Sequence, residues 1–219
     1  MNGRPVLLLP GIWLPQATLI VLARRLRREG FPIRLFRYGT MRESTERVLE
    51  RLASRCREPP PPAAIVGHSL GGLLALAALA RHSLAVPRVV CLGSPLRGSA
   101  VARALASSPI TRASLGQHRR LLCEGLSETP PGAAVGVIAG TLPIGIGVFV
   151  PSLEHPHDGV VALAETRLPG LADHLALRLN HSGLLLSPAV ARAVAAFVRT
   201  GAFAPTSSRA TAPPSAAPS

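Results

Sequence analysis

The sequence predicts an α/β fold, a mostly parallel sheet with helices on both faces, and three observations support this. Short apolar runs of strand length alternate with amphipathic stretches of helix length from residue 5 to residue 201. Most of the runs are apolar throughout, which is the pattern of strands buried on both sides. With 47% apolar residues over 219 positions, the chain can bury the core of such a sheet within one domain.

In order, PVLLLP (5–10) is a continuous apolar run bounded by prolines and reads as a buried strand. ATLIVLARRLRRE (17–29) has Leu19, Leu22, Ala23 and Leu26 on one face, and Gly30 closes it. IRLFRY (33–38) alternates like a strand, and ESTERVLERLASRC (43–56) is a helix with Val48, Leu49 and Leu52 inward. Prolines 59–62 form a stiff connector. AAIVG (63–67) is the third strand, LGGLLALAALARH (70–82) the third helix and PRVVCLGS (87–94) the fourth strand. Residues 95–132 carry short helical patterns without a clear strand, so a short insertion is expected there, where a lid or cap would sit. AAVGVIAG (133–140) and HLALRLN (174–180) resume the strands. SPAVARAVAAFVRTG (187–201) is a closing helix with Ser187 as its cap, Pro188 in its first turn and Gly201 past its end. The folded domain is expected over 1–203, and the Pro/Ser/Ala/Thr-rich stretch 204–219 is expected to be disordered.

Charge and cysteine content narrow the function classes. All 24 cationic residues are arginine, against 11 acids, for a net charge of +13. Such a balance suits nucleic acid or an anionic membrane. Here the arginines are spread over several helix faces with few aromatics between them, so no specific nucleic-acid partner is expected and peripheral membrane contact stays open. Cys56, Cys91 and Cys123 are odd in number and lack CxxC spacing, which points to free thiols in a reducing compartment. The N-terminal apolar run is broken by Pro10, Gly11 and Pro15 and reads as no secretory signal. No stretch reaches the ~18 apolar residues of a spanning helix, and the cytoplasm is the expected location.

Chemistry enters at Gly67-His68-Ser69-Leu70-Gly71, a G-x-S-x-G pattern between a strand and a small-residue helix. In that setting the chain turns abruptly, the serine takes a strained backbone geometry, and its hydroxyl is lifted out of the packed layers. A serine hydroxyl needs a base, and the base needs an orienting acid. The chain has two aspartates. Asp173 stands at the start of the last strand, opposite the nucleophile, whereas Asp158 in HPHDGVV follows the 133–140 strand. His181, just beyond the far end of the last strand, is the candidate base, and Ser69, Asp158, His181 is the chain order this kind of sheet uses.

His82 and His118 read as helix-end or surface residues, His174 starts a strand at the wrong end, and the spacing of His155 and His157 matches no closed metal set. No metal or cofactor is expected. The oxyanion donors are the backbone N–H groups of Leu70, directly after the nucleophile, and of Ile12 in the loop after the first strand. His68 reads first as a packing or hydrogen-bonding neighbour. Together with Trp13, and with Val148 and Val150 from the apolar stretch TLPIGIGVFVPSL (141–153), it is also a candidate substrate contact.

These segments together resemble the α/β-hydrolase family, in particular its compact bacterial lipase/esterase group. LLLPGIW resembles the oxyanion strand and loop, IVGHSLGG the elbow, CLGSPLRGS the following strand and loop, HDGVV the acid loop and NHSGLLLS the histidine loop. Pro10 departs from many relatives, which carry a histidine before that glycine. The resemblance implies an α/β-hydrolase fold and hydrolysis of a small-molecule or lipid carboxylic ester through an acyl-enzyme. An acyltransferase on the same fold, and a catalytically silent interaction protein, remain the alternatives. The sequence leaves the oligomeric state open.

Overall fold

The first strand sets the plan of the molecule. Val6 and Leu8 point to one side, Leu7 and Leu9 to the other, and all four are buried. A strand apolar on both faces must be covered on both. The computed structural model, which describes residues 4–13 and 17–203, shows the covering layers. Strands β1 (Val6–Leu9), β2 (Ile33–Leu35), β3 (Ala64–His68), β4 (Arg88–Leu92), β5 (Ala134–Gly140) and β6 (Asp173–Leu177) form one sheet in the order β2-β1-β3-β4-β5-β6. Every pairing is parallel.

The Val6/Leu8 face carries helices α1 (Ala17–Arg28), α6 (Gly183–Leu186) and α7 (Pro188–Thr200). The Leu7/Leu9 face carries α2 (Thr45–Arg57), α3 (Leu70–His82) and the inserted cap, made of α4 (Ala100–Ser107), a 3₁₀ turn over Arg112–His118 and α5 (Arg119–Glu124). Helix ends follow local chemistry. The Ser44 hydroxyl accepts the Arg47 N–H at the start of α2, and Ser187 accepts that of Val190 at the start of α7. Gly201 closes α7 in the left-handed conformation, its N–H donating to the Phe197 carbonyl.

Several boundaries differ from expectation. The strand expected over 33–38 pairs only to Leu35, because Phe36 and Tyr38 turn into the core. The Tyr38 hydroxyl there donates to the Pro10 carbonyl oxygen at 2.7 Å. β6 stops at Leu177 rather than Asn180, since the Leu179 N–H folds back onto the Leu177 carbonyl. The 3₁₀ turns Ile146–Phe149 and Ala164–Thr166 and the four-residue α6 are too short to leave a periodic signal. His118 is fully buried, not at the surface, because the cap folds down on α2 and brings its Nδ1 to 2.9 Å from Thr45 Oγ1. Burial lowers its pKa.

The cap is also tied to the loop after β5. Glu165, mostly buried, accepts the Ala100 N–H at the start of α4 with Oε1 and the Ala162 N–H at 3.0 Å with Oε2. The Cys56 and Cys91 thiols are free and buried, and burial pushes them up to about 11 and about 12. No helix among the described residues is long and apolar enough to cross a membrane. The tail expected to be disordered, 204–219, lies outside the described residues.

Phe197 shows how much one face rests on a single side chain. Fully buried, it packs its ring over Gly136 of β5 and stacks at 4.9 Å on Phe203. Phe197→Ala should lower the free energy of unfolding by about 3–5 kcal/mol in urea denaturation followed by circular dichroism. A loss below ~1 kcal/mol would mean that the face collapses around the gap.

Candidate active site

β1 and β3 lie side by side, with Leu9 opposite Gly67. The chain leaves β1 for α1 on one face and leaves β3 for α3 on the other. Neighbouring strands whose connections depart in opposite directions leave a crevice at their C-terminal ends. Ile12 and Trp13 stand on one side of that crevice, and Ser69 on the other.

Ser69 has φ 53° and ψ −120°, a conformation that L-residues rarely adopt. Its neighbours make it possible. A Cβ on Gly67 would run into the backbone of Gly71 and Gly72, so strand and helix can close on each other only with glycine there. The Ser69 N–H donates to the Leu92 carbonyl at 2.8 Å, and its carbonyl accepts from Gly72. These bonds fix the backbone and leave the hydroxyl on the crevice wall. Leu70 is the first residue of α3, and its N–H has no acceptor within the helix. Trp13 also has a positive φ, 63°, so both sides of the crevice hold strained backbone.

The loop after β5 and the turn after β6 bring Asp158 and His181 together. Asp158 Oδ2 lies 2.7 Å from His181 Nδ1, and Oδ1 accepts the N–H groups of Val160 and Val161 at 2.9 and 2.8 Å. The backbones are joined too, the His181 N–H donating to the Asp158 carbonyl at 2.9 Å. A buried carboxylate with three donors is held in one orientation. Such a partner makes Nδ1 the protonated nitrogen of His181 and leaves Nε2 free to accept a proton. Gly93, at φ +54°, lies under this pair. A Cβ there would come within 3.0 Å of Asp158 Oδ2 and 3.1 Å of His181 Nδ1. The turn after β4 therefore leaves room for the pair, a role signalled in the sequence only by a glycine directly after an apolar run.

The cavity beside Ser69 and His181 has a volume of about 240 Å³. Its walls include Ile12 and Trp13, Val101, Leu115 and Leu122 of the cap, and Ile144, Ile146, Val160 and Val161 from the loop after β5. Among the described residues no charged side chain lines it. A larger groove of about 680 Å³ beside β2 and α2 is open, lined by Arg47, Glu50, Arg51 and Arg55, and shares no wall residue with the Ser69 crevice.

The structure places three of the expected substrate contacts off the cavity wall. His68 lies behind the site rather than on its wall. It is buried, its ring is 4.6 Å from that of His181, and its Nε2–H donates to the His181 carbonyl at 3.1 Å. Burial, reinforced by the neighbouring imidazole, lowers its pKa to about 3, so it stays neutral and its unpartnered Nδ1 carries no proton. Val148 is half-exposed outside the walls, and Val150 packs beside Ala100, Val101, Leu153 and Ala162. The 141–153 stretch does reach the cavity, but through Ile144 and Ile146, because the 3₁₀ turn points the later residues away. Of the other histidines, His174 bonds Thr166 Oγ1 at 2.9 Å, and the His155 and His157 rings pair at 4.5 Å. Among the described residues no group of three or more His, Cys, Asp or Glu side chains could hold a metal ion.

The buried Asp158–His181 bond should give a strongly downfield proton resonance in a one-dimensional NMR spectrum. Gly93→Ala should shift or erase it while costing at least ~1 kcal/mol of stability. An unchanged resonance in that variant would mean that the pair does not depend on the space Gly93 leaves.

Comparison with known proteins agrees with this architecture. A family model described as the alpha/beta hydrolase fold matches residues 27–111, the segment that contains the elbow. A lipase of Bacillus licheniformis superposes with a TM-score of 0.75 at 18% identity, over 95% of this chain and 52% of its own. The chain thus spans about half of that lipase. A metagenomic carboxyl esterase superposes at 0.66 with 19% identity, over 91% of this chain and 76% of its own. A monoacylglycerol lipase of Paleococcus ferrophilus gives 0.57 and 16%, over 92% and 97%. No curated protein matches the sequence. The six parallel strands, the helices on both faces and the family match at the elbow together make this chain a protein of the α/β-hydrolase fold.

Proposed function

We propose that the chain is a serine hydrolase that cleaves small, uncharged carboxylic esters through an acyl-enzyme. The observation that carries this reading is that strained Ser69 and Asp158-bound His181 open onto one uncharged, mostly apolar cavity. His181 Nε2 takes the Ser69 proton as the hydroxyl oxygen attacks the ester carbonyl. The tetrahedral oxyanion is met by the backbone N–H groups of Ile12 and Leu70. Collapse breaks the carbon–oxygen bond, and His181 returns the proton to the departing alcohol. A water then adds to the acyl-enzyme, gives a proton to the same nitrogen, and releases the acid as Ser69 regains its hydrogen. Asp158 stays ionised and holds the imidazole tautomer.

The cavity narrows the substrate. With no charged side chain among its described wall residues, it offers no partner to a charged acyl group. An apolar cavity of about 150 Å³ takes a benzene ring, so 240 Å³ holds an acyl chain of up to about eight carbons. Leu115 and Leu122 belong to the main core as well as to the cavity wall, so the wall they form is rigid.

Across p-nitrophenyl esters from acetyl to palmitoyl, turnover should fall steeply beyond about eight carbons. Ser69→Ala should lower kcat by roughly 10⁴-fold or more while the circular dichroism spectrum is unchanged. A fluorophosphonate probe should label wild type and not that variant. An unlabelled wild type would sink the hydrolase reading in favour of a silent protein, and acyl transfer to added alcohols in preference to water would favour a transferase.

A further inference from the structure

The rim of the cavity is built outward. Trp13, Ile144 and Ile146 line the cavity and are still about half exposed. Val148 and Phe149 continue the same 3₁₀ turn and are 53% and 85% exposed. Residues 141–152 include no charged side chain. The turn is held from within, since the buried Gly147 donates its N–H to the Gly159 carbonyl at 2.7 Å and the Val150 N–H returns to the Gly147 carbonyl at 2.9 Å. Its backbone is therefore anchored inward while Val148 and Phe149 face outward. Isolated exposed apolar residues are ordinary, but a contiguous projecting group marks a contact surface.

The cap segment bonded to the rim carries exposed arginines. The Trp13 indole N–H donates to the Ser114 carbonyl at 2.6 Å, which joins the apolar rim to the Arg112–His118 turn of the cap. Arg112 in that turn, and Arg119 and Arg120 at the start of α5, are exposed. Arg120 pairs with Glu124 at 3.0 Å, whereas Arg112 and Arg119 make no ion pair among the described residues.

We propose that this rim docks on an anionic lipid surface. Val148 and Phe149 enter the boundary between headgroups and acyl chains, and Arg112 and Arg119 meet the phosphates. Both chemistries are needed at one place, and an anionic bilayer supplies both. A second copy of the chain is disfavoured as the occupant, because two faces flanked by unpaired arginines, each on a chain of net charge +13, repel. Docking here would bring the mouth of the cavity to the lipid. The proposal requires no turnover and so stands or falls separately from the hydrolase reading.

The test is co-sedimentation of the full chain with vesicles of phosphatidylcholine alone or mixed with phosphatidylglycerol, at low and high salt. Wild type should pellet with the mixed vesicles at low salt, release as salt rises, and bind the neutral vesicles weakly. Arg112→Gln and Arg119→Gln should each lower binding about fivefold. The double variant Val148→Ser, Phe149→Ser should lower it at least as much, with unchanged thermal melting because both side chains are exposed. Arg24→Gln, on α1 at the opposite face of the sheet, should bind like wild type. Wild type staying in the supernatant with the mixed vesicles would overturn the proposal. Equal losses in Arg24→Gln and the cap variants, or an unaffected Val148/Phe149 variant, would overturn it as general adsorption of a cationic chain. A dimer in light scattering that Phe149→Ser dissociates would overturn it in favour of a second copy.

Discussion

Strand β3 and helix α3 meet with no room for a side chain between them, and the rest of the site is arranged around that contact. Gly67 lies against the backbone of Gly71 and Gly72, and Ser69 is forced to positive φ between them. Strain of this kind costs on the order of 1–3 kcal/mol. It persists because α3 is anchored by far more than it costs. Leu70, Leu73, Leu74 and Leu76 are fully buried, a gross gain of roughly 6–12 kcal/mol for four such side chains. The helix runs through the core almost unbroken by polar groups, and the one polar side chain at its start is the one that faces the crevice.

From that fixed point the other strands contribute by where they end. β1 supplies the Ile12 loop, held by the Tyr38 bond to Pro10, while β4 supplies the space at Gly93 and β5 and β6 the joined Asp158 and His181. His68 connects two of these parts. It ends β3 and donates to the backbone of His181, so the Ser69 turn and His181 are registered against each other by one neutral imidazole. A charged ring in that place would compete with His181 for the Asp158 carboxylate, and burial prevents it.

The sequence made the long elements legible because they carry period. α3 runs over the expected 70–82 and α7 over 188–200, since apolar spacing and capping residues agree there. Ser69, Asp158 and His181 could be singled out because motif, strand order and the presence of only two aspartates left little choice, and the structure brings the latter two into contact. The cavity wall was less legible. Val148 and Val150 have the same composition as Ile144 and Ile146, and only a 3₁₀ turn of four residues, too short to show a period, decides which of them face inward. His118 was misplaced for a related reason: nothing local says that a polar residue between arginines will be covered by a helix some seventy positions earlier.

Glu165 gives the cap a property that its position alone would not suggest. The same carboxylate holds the first turn of α4 and the N–H of Ala162, next to the residues that grip Asp158. The cap and the acid loop are thus one mechanical unit. A rigid swing of α4 would tear the Ala100 N–H from Glu165 and pull on the loop that carries Asp158. The mouth of the crevice lies elsewhere, beside the Trp13 indole and Ile144 and Ile146, so its opening is separate from the Glu165 contacts that hold the Asp158 loop in place.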